Sequence, residues 1–471
     1  MSYRSEEYNI SYTQKRITNR LRSSPFPLPL WRPGGASHLS NTLIYMSELK
    51  NGTRVQLTNG KSCTVKKELG RGGQGIVYLV DYEGKDYALK WYIVDYPDAF
   101  MNNLEKNCKA GAPTKNFLWP IAVARRQYDS FGYVMQLRPQ GYEEMAMYIL
   151  AKARFASLDA MFNACLQICT GFMELHKRGL CYQDMNDGNF FINPRTGDVL
   201  VCDNDNVAPN GVDVGILGKS GYMAPEIVER ESAPNRHTDY FSQAVCLFIL
   251  IYLNKPFEGA RYLSCPCLSP EAERKLFGKG AVFICDPTDN SNRPVKGIHN
   301  NVINRWPLFP KYLQKAFVAA FSKEAICTPG KRLLDKKWQE VIIQLRSLYI
   351  KCPQCGEHTF YDPTTADNRC LECGRTVPAV TSLFVGHYAI PLAEGQKIYC
   401  CQVKNEPDYD KVAATVVKNA AGKLGLKNQS DMPWTVMLPT GEVRVVKPGE
   451  GMPAAKGLKI RFGQNETGEI K

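Results

Sequence analysis

Two stretches of the sequence carry residue types that could act on phosphate. The first, LCYQDMNDGNFFI over Leu180–Ile192, holds Asp184 and Asn189 five residues apart and ends in a short apolar run. The second, ELGRGGQGIVYLV over Glu68–Val80, is rich in glycine. The acid and the amide could belong to a working phosphotransfer site, to an inactive relative of one, or to a coincidence of spacing. The glycine stretch helps to decide among these three.

The glycines of the second stretch are Gly70, Gly72 and Gly75, and Val77 follows two residues later. Glycine lets backbone amides approach phosphate oxygens that a side chain would keep away. A lone pattern of this kind could also be a hairpin turn or a dinucleotide-binding loop. A dinucleotide site needs a helix directly after the glycines, whereas IVYLVDYEGKDYALKWY continues as two strands joined by a turn. We therefore predict a strand–turn–strand flap.

The stretch YALKWY puts Lys90 on the strand that follows the flap, with Ala88 two residues ahead of it. A lysine in such a strand is more often an edge residue whose ammonium group reaches solvent. After a glycine flap it is also a candidate to pair with phosphate, and its expected partner is a helical carboxylate. The next segment contains Asp98 and Glu105. Because Asp98 falls where a helix begins, we predict Glu105 as the partner, with an ordinary exposed charge as the alternative.

Apolar periodicity predicts the elements that position these residues. Apolar residues spaced by three and four from Leu158 predict an amphipathic helix that ends at Gly179. Two more apolar helices are expected over Asp239–Leu253 and Leu334–Leu348. Upstream, TRVQL and KSCTV lie on either side of TNG and predict a β-hairpin that leads into the glycine flap.

These features, with YMAPEIV over Tyr222–Val228, resemble the eukaryotic-type (Hanks-type) Ser/Thr protein kinases over roughly residues 64 to 350. The stretch VLVCDNDNV puts Asp203 directly after an apolar strand. It lies between Leu180–Ile192 and Tyr222–Val228, which is the order of these motifs in the family. The resemblance implies a bilobal α+β fold and a kinase that uses ATP and Mg²⁺ to phosphorylate Ser or Thr hydroxyls of a protein substrate. It also implies that Glu226 pairs with Arg332 and that Asp239 supports the catalytic loop.

The resemblance assigns a role to each matching residue. Asp184 would accept or orient the proton of the substrate hydroxyl, while Asn189 and Asp203 would bind magnesium through oxygen atoms. Around ATP, the resemblance assigns Gly70, Gly72 and Gly75 to the phosphates, Lys90 to the α- and β-phosphates, Val77 and Ala88 to the adenine, and the hinge backbone near Gln136 to the adenine edge.

Two departures from the family pattern leave the activity open. The family's Asp-Phe-Gly is Asp203-Asn204-Asp205 here, so the chain lacks the phenylalanine whose packing the family uses as a switch. Asn186 replaces the lysine that usually contacts the transferring phosphoryl group, which removes a positive charge from the site. Lys219, from the activation segment, is a candidate replacement. A nucleotide-binding pseudokinase that serves as a scaffold is therefore the alternative function.

A third departure concerns activation. Gln183 stands where the family has an arginine that pairs with a phosphorylated residue of the activation segment, the chain between Asp203 and Glu226. The segment offers Ser220 and Tyr222 as its hydroxyl residues, and Tyr222 belongs to the YMAPE motif. Lys219 alone is a poor substitute for the planar arginine fork. We therefore predict that the segment reaches its working form without phosphorylation.

Two C-x-x-C pairs follow the kinase-like region, each with a glycine after it and with fourteen residues between them. Their members are Cys352, Cys355, Cys370 and Cys373. Four thiolates from two such turns can complete a tetrahedral zinc site. Because a closed four-sulfur site has no open position, the Zn²⁺ would be structural. Reduced thiols or two disulfides are the alternative.

From about Thr381, short strand-like runs between turn residues predict a small all-β sandwich. Its last strands resemble the forkhead-associated fold, but the Ser-x-x-His phosphothreonine motif of that family is missing, so partner docking is the expected role. The predicted domains are a flexible tail over residues 1–40, a kinase domain with a hairpin extension over 41–350, a zinc ribbon over 351–379 and the β-sandwich over 380–471.

The sequence also resembles a narrower group of kinases. FLWP over Phe117–Pro120, GYVM, the Asp-x-Asp motif and the cysteine-containing tail are similar to a divergent bacterial group associated with tellurite and stress operons. That resemblance implies bacterial stress signalling. It also implies two partners, a von Willebrand A domain protein and a metal-dependent phosphatase.

Composition limits the remaining choices. A chain of 471 residues that is 44% hydrophobic can bury a core. The longest apolar run, Ala244–Leu253, is too short to span a bilayer and the N-terminus lacks a signal-peptide pattern, so we expect a cytoplasmic protein without membrane contact. The scattered cysteines agree with a reducing compartment. The net charge of +13 is interleaved with acids, which makes nucleic-acid binding the least favoured function.

Overall fold

The computed structural model describes residues 48–216, 218–404, 406–463 and 466–471. The tail predicted over residues 1–40 lies outside them. The described chain divides into two compact units, one with residues 48–300 and 317–337 and the other with residues 301–316 and 338–471. The domain boundaries predicted at residues 351 and 380 stay predictions. In the described part of the chain, no helix is both long and apolar enough to cross a membrane.

The first unit begins with a six-stranded antiparallel sheet in the order β1-β2-β3-β4-β6-β5. Its strands are β1 (Arg54–Gln56), β2 (Ser62–Arg71), β3 (Gly75–Tyr82), β4 (Lys85–Tyr92), β5 (Pro120–Val123) and β6 (Gly132–Met135). The predicted hairpin is present, because β1 pairs with β2 across the TNG turn. Gly60 in that turn has φ 83°, a conformation that favours glycine.

Side chains of β4 alternate between two apolar clusters, as the period of a strand requires. Leu89 and Trp91 belong to one cluster. Ala88 and Tyr92 belong to the other, into which helix α1 (Asp98–Ala110) packs its apolar residues. The sheet therefore carries α1 on the face to which the even-numbered residues of β4 point.

Helices dominate the chain after the sheet. They are α2 (Met145–Ile149), α3 (Leu158–Lys177), α4 (Pro225–Val228), α5 (Arg236–Tyr252), α6 (Ala260–Leu263), α7 (Pro270–Phe277), α8 (Asn300–Arg305), α9 (Lys311–Ala320), α10 (Lys323–Cys327) and α11 (Asp335–Leu348). The three helices predicted from periodicity are confirmed as α3, α5 and α11. Helix α5 begins three residues earlier than predicted, because Asn235 and Thr238 form a capping box at its start.

Short strands frame the candidate site. Strands β8 (Leu180–Cys181) and β11 (Ala208–Pro209) pair with each other, and β7 (Glu143–Glu144), β9 (Phe190–Ile192) and β10 (Val199–Val201) form a three-stranded sheet. The loop between β8 and β9 contains the predicted catalytic aspartate. The segment between β10 and β11 contains Asp203. These pairings bring the two segments alongside each other.

The second unit contains a hairpin and two antiparallel sheets. The hairpin joins β12 (Tyr349–Lys351) to β13 (His358–Phe360). The first sheet contains β14 (Ser382–Val385), β15 (Tyr388–Pro391), β19 (Trp434–Met437), β20 (Val443–Val446), β22 (Lys459–Arg461) and β23 (Thr467–Ile470). The second contains β16 (Lys397–Tyr399), β17 (Val412–Lys418), β18 (Leu424–Asn428) and β21 (Gly451–Pro453), with α12 (Cys400–Val403) after β16. The predicted strands are thus present, and the forkhead-associated resemblance stays a prediction.

Candidate active site

The glycine flap is the turn between β2 and β3, as the sequence predicts. Gly70 pairs with Val77 across the two strands, and a Cβ on Gly70 would meet no atom within 4 Å. The N–H of Gly72 donates to the carbonyl oxygen of Gly75 at 2.9 Å and closes the turn. A Cβ on Gly75 would lie 2.5 Å from the carbonyl oxygen of Trp91. Only glycine therefore allows β3 to approach β4 at this point.

The residues predicted around the adenine lie at one end of the sheet. Ala88 pairs with Met135 across β4 and β6, and both side chains are buried. Val77 packs against the same cluster. Gln136 follows the end of β6 and is exposed. The structure thus brings the expected adenine-covering residues next to the expected hinge.

Lys90 lies on β4 with its ammonium group buried between two carboxylates. Its Nζ lies 3.1 Å from Asp203 Oδ1 and 2.9 Å from Asp205 Oδ2. Burial alone would lower the pKa of Lys90, but the charges of Asp205 and Asp203 outweigh it and raise the pKa. The predicted pair between Lys90 and Glu105 is not formed. Asp205, at the position of the family's glycine, takes that place, and Glu105 lies half-buried on α1.

Neutral side chains connect helix α1 to the segment that follows Asp205. The Nδ2 atoms of Asn103 and Asn107 both donate to the carbonyl oxygen of Val207, at 2.7 and 2.9 Å. Trp119 Nε1 donates to the carbonyl oxygen of Asn107 at 2.8 Å. The helix is therefore attached to the segment that follows Asp205 by hydrogen bonds between uncharged groups.

The segment after β10 is held by hydrogen bonds of Asn204, where the family has a packed phenylalanine. Asn204, at the position of the family's phenylalanine, is fully buried. Its Nδ2 donates to the carbonyl oxygens of Leu118 at 2.8 Å and Val201 at 2.9 Å. Asp203 has a left-handed backbone with φ 48°. These bonds hold the segment in place without the apolar packing used in the family.

Asp184 lies in the loop between β8 and β9, where several groups hold it. Its Oδ1 accepts hydrogen bonds from Asn186 Nδ2 at 2.9 Å and from the backbone N–H of Lys219 at 3.3 Å. Asn189 Nδ2 donates to the carbonyl oxygen of Asp184 at 2.8 Å. Burial raises the pKa of Asp184 to about 6, and the hydrogen bond from Asn186 opposes part of that increase. The carboxylate is mostly ionised at pH 7 and can accept a proton.

Asn189 and Asp203 are brought together by the backbone. The N–H of Cys202 donates to the carbonyl oxygen of Asn189 at 2.9 Å, so Asp203 follows directly beside the catalytic loop. The side chain of Asp203 is 38% exposed. The amide nitrogen of Asn189 is bonded to Asp184, which leaves its amide oxygen as the group that can bind a cation. A carboxylate and an amide oxygen suit Mg²⁺, so the two residues fit a magnesium site.

Lys219, the candidate replacement for the missing lysine, has a different carboxylate as its partner. Its Nζ lies 2.5 Å from Asp187 Oδ1, and its side chain is 48% exposed. Only its backbone N–H reaches Asp184. The charge of Lys219 is therefore held three residues beyond Asp184 along the catalytic loop.

Gln183 attaches the activation segment to the catalytic loop. Its Nε2 donates to the carbonyl oxygen of Val212 at 2.6 Å, and its Oε1 accepts the N–H of Val214 at 3.4 Å. A neutral amide thus makes a contact where the family uses arginine and phosphate. Ser220 Oγ donates to the carboxylate of Glu273. A phosphate on Ser220 would therefore face a negative charge.

A buried histidine supports the catalytic loop by bridging two aspartates. His176 Nε2 lies 3.0 Å from Asp239 Oδ2, and Nδ1 lies 2.7 Å from Asp335 Oδ2. Asp239 Oδ2 also accepts the N–H of Tyr182 at 2.7 Å, two residues before Asp184. Asp239 therefore contacts the loop that it was predicted to support. The sequence carries no signal for His176, because Asp335 lies 159 residues away along the chain.

This bridge predicts a pH dependence of stability. Burial alone would lower the pKa of His176, but the hydrogen bonds to Asp239 and Asp335 outweigh it and raise the pKa to about 9. The unfolded pKa is about 6.5, so the protonated histidine stabilises the fold in full below about pH 6.5. The stabilisation is lost as the pH rises through about 9. Between pH 7 and 9.5 it should fall by about 2 kcal/mol.

Urea denaturation of the wild type and of His176→Gln at these two pH values measures the effect. Lysine, tyrosine and cysteine groups titrate in both proteins, so their contributions cancel in the comparison. The loss of unfolding free energy between pH 7 and 9.5 should be about 2 kcal/mol larger in the wild type. An equal loss in both proteins would contradict a charged histidine bridge.

Glu226 and Arg332 form the ion pair that the resemblance implies. Arg332 Nη1 and Nη2 each lie 2.7 Å from one oxygen of Glu226, and both side chains are buried. The guanidinium group also donates to the carbonyl oxygens of His237 at 2.9 Å and Ala325 at 3.1 Å. The planar guanidinium group of Arg332 thus links α4, α5 and α10 through hydrogen bonds to Glu226, His237 and Ala325.

The four cysteines predicted to bind zinc lie together in the second unit. Their Sγ atoms all lie within 4.8 Å of one another, in the cluster Cys352, Cys355, Cys370 and Cys373. Sulfurs that share one zinc ion at about 2.3 Å lie roughly 3.8 Å apart, so the cluster fits this metal. Both turns have a glycine with positive φ after the second cysteine, Gly356 at 75° and Gly374 at 68°. All seventeen cysteines are free thiols.

Comparisons with known proteins agree with this geometry. The family model for the protein kinase domain matches residues 63–264. Protein kinase C delta type of Mus musculus is 28% identical over 235 residues, which cover 48% of this chain and 34% of that protein. Protein kinase YegI of Escherichia coli (strain K12) is 23% identical over 329 residues, 66% of this chain and 49% of that protein.

Beta-adrenergic receptor kinase 1 of Homo sapiens is 25% identical over 207 residues, 41% of this chain and 29% of that protein. The chain thus matches between 29% and 49% of the length of these three curated relatives. The residues matched by the family model include the glycine flap, Lys90 and Asp184. Over residues 63–264 the chain is therefore similar to the protein kinase domain.

Proposed function

We propose that this kinase domain transfers the γ-phosphate of ATP to Ser or Thr hydroxyls of a protein substrate. The observation that carries the proposal is the junction of Asp184, Asn189 and Asp203. The side-chain Nδ2 of Asn189 donates to the backbone carbonyl oxygen of Asp184. The backbone carbonyl oxygen of Asn189 accepts the N–H of Cys202, the residue before Asp203. A proton acceptor and two oxygen ligands thus lie on two backbone segments that are hydrogen-bonded to each other.

The residues divide the work between binding and proton transfer. The glycine flap and Lys90 bind the phosphates, and Ala88, Val77 and the backbone near Gln136 bind the adenine. Bound Mg²⁺ would neutralise phosphate charge. Asp184 accepts the proton of the substrate hydroxyl, for which its burial is suited because a pKa of about 6 keeps it a competent base near neutral pH.

A nucleotide-binding scaffold without catalysis is the second candidate. It is favoured by Asn186, which brings no charge to the transferring phosphoryl group, and by the attachment of Lys219 to Asp187. Without a cation at that position the transition state loses electrostatic stabilisation. The scaffold would bind ATP with magnesium and transfer nothing.

Labelled ATP separates the two functions and tests the amino-acid specificity. The purified chain is incubated with γ-labelled ATP, Mg²⁺ and casein or myelin basic protein as generic acceptors. Acid hydrolysis then identifies the labelled residues. Label on phosphoserine or phosphothreonine supports the proposal, label on phosphotyrosine alone contradicts the specificity, and nucleotide binding without label supports the scaffold.

We also propose that the segment between Asp203 and Glu226 works without phosphorylation. Gln183 holds it through two backbone groups, and Ser220 lies against Glu273. Phosphatase-treated enzyme and Ser220→Ala should therefore keep phosphotransfer rates within about tenfold of the wild type, or roughly 1.4 kcal/mol in the barrier. A larger fall in either sample would show that segment phosphorylation controls this kinase.

The regions after the kinase domain support proposals of their own. The four-cysteine cluster would hold one structural Zn²⁺, and the two sheets that follow would dock a partner. Bacterial stress signalling in the cytoplasm, beside a von Willebrand A domain protein and a metal-dependent phosphatase, fits the motifs that the chain shares with the tellurite-associated group. Co-purification of the tagged chain with these two partners tests it, and a chain that recovers neither counts against it.

A further inference from the structure

Asp205 has the most completely satisfied carboxylate in the candidate active site. It stands where the family motif has glycine, and its side chain is 0% exposed. Its Oδ2 lies 2.9 Å from Lys90 Nζ and accepts the hydroxyl of Tyr92 at 2.7 Å. Its Oδ1 lies 3.2 Å from Lys90 Nζ and accepts the hydroxyl of Tyr133 at 3.1 Å. Each carboxylate oxygen therefore contacts the ammonium group of Lys90 and the hydroxyl of a different tyrosine.

The helix that usually supplies this carboxylate does not do so here. Among the described residues, Glu105 forms no ion pair, and Lys90 contacts Asp203 and Asp205. Helix α1 is attached through Asn103 and Asn107 to a carbonyl oxygen two residues after Asp205. The segment from Asp205 to Val207 thus makes both contacts. The carboxylate of Asp205 binds Lys90, and the carbonyl oxygen of Val207 binds helix α1.

We propose that Asp205 is the positioning residue for Lys90 and that it keeps Asp203 available for the metal ion. This inference rests on the proposed kinase function. Two carboxylates face one ammonium group, so one negative charge is in excess. Because Asp205 is fully buried and Asp203 is 38% exposed, Asp203 is the carboxylate that a cation can reach. Without the charge of Asp205, Lys90 would pair with Asp203 alone and compete with a cation for it.

The test measures binding, which does not depend on phosphotransfer. Calorimetric titration of a non-hydrolysable ATP analogue at a series of Mg²⁺ concentrations gives the magnesium concentration at half-saturation. In Asp205→Asn this concentration should rise at least tenfold, because the side chain keeps its shape and loses its charge. In Glu105→Gln it should stay within twofold. Asp86→Asn, an exposed acid on the same sheet, is the matched control.

Two conservative variants keep the proposal testable if Asp205→Asn does not fold. Tyr133→Phe and Tyr92→Phe each remove one hydrogen bond to Asp205 and retain the ring. Each should raise the magnesium requirement between twofold and tenfold, whereas a purely structural role would lower the melting temperature and leave the requirement unchanged. An unchanged requirement in all three variants, or a larger rise in Glu105→Gln, overturns the proposal.

The phosphotransfer rate of the wild type is measured separately. If the wild type binds the analogue with magnesium and transfers no phosphate, the proposed kinase function fails. The magnesium titrations still decide the role of Asp205 in that case. The two failures are therefore distinguishable.

Discussion

Replacing Asp184 with Asn should reduce phosphotransfer by about a thousandfold, or roughly 4 kcal/mol in the barrier. The amide cannot accept the proton of the substrate hydroxyl, whereas it can still accept the hydrogen bonds that hold the loop. Affinity for an ATP analogue should stay within about threefold, because the nucleotide is bound by the flap, Lys90 and the hinge. Single-turnover rates and calorimetry on the same preparations measure the two effects.

Asp86→Asn serves as the control for this variant, because Asp86 is exposed and pairs with Lys66 at the surface. It should match the wild type in both assays. Wild-type turnover in Asp184→Asn would show that the catalytic loop is assigned to the wrong aspartate. A loss of nucleotide affinity as large as the loss of rate would show that the variant disrupts the site as a whole.

Loss of zinc should unfold the cysteine-rich hairpin. Structural zinc sites bind with about 10–16 kcal/mol in small domains, far more than a short ribbon can gain from its apolar core. Elemental analysis of protein purified without added metal should find one zinc per chain. Cys352→Ser should release it and abolish the chelator-sensitive part of the melting curve, while the first unit keeps its own transition.

Cys327→Ser is the matched control, because Cys327 is an exposed thiol outside the cluster. It should keep one zinc per chain and the same melting curve as the wild type. A wild type without zinc, or a melting curve that a chelator does not change, would contradict the site. Zinc retained by Cys352→Ser would show that another residue completes the coordination.

The parts of the site that could be predicted from the sequence are those whose residues lie close together along the chain. The glycine flap, the strand with Lys90 and the C-x-x-C pairs each depend on local spacing, which strand and turn geometry translate directly into position. Asp184 and Asn189 also act from one loop. In the structure the flap joins β2 to β3, Lys90 lies on β4 and the four cysteine sulfurs form one cluster, whereas the roles of these residues stay predictions.

The partner of Lys90 could not be predicted in the same way. Asp205 lies 115 residues after Lys90 along the chain, and its carboxylate reaches the ammonium group only because β4 and the segment after β10 meet in three dimensions. The family pattern favours Glu105, and only the tertiary structure decides between the two acids. The bridge from His176 to Asp335 has the same origin, since neither residue has a local signal.

The central claim is that the kinase-like residues 63–264 form a domain that transfers phosphate, and one assay tests it most directly. Purified wild type and Asp184→Asn are each mixed with limiting γ-labelled ATP and an acceptor protein, with and without Mg²⁺, and labelled protein is counted over time. We predict label on the acceptor with wild type and Mg²⁺ only. Bound nucleotide without label above the Asp184→Asn level would contradict the claim and leave the domain a nucleotide-binding scaffold.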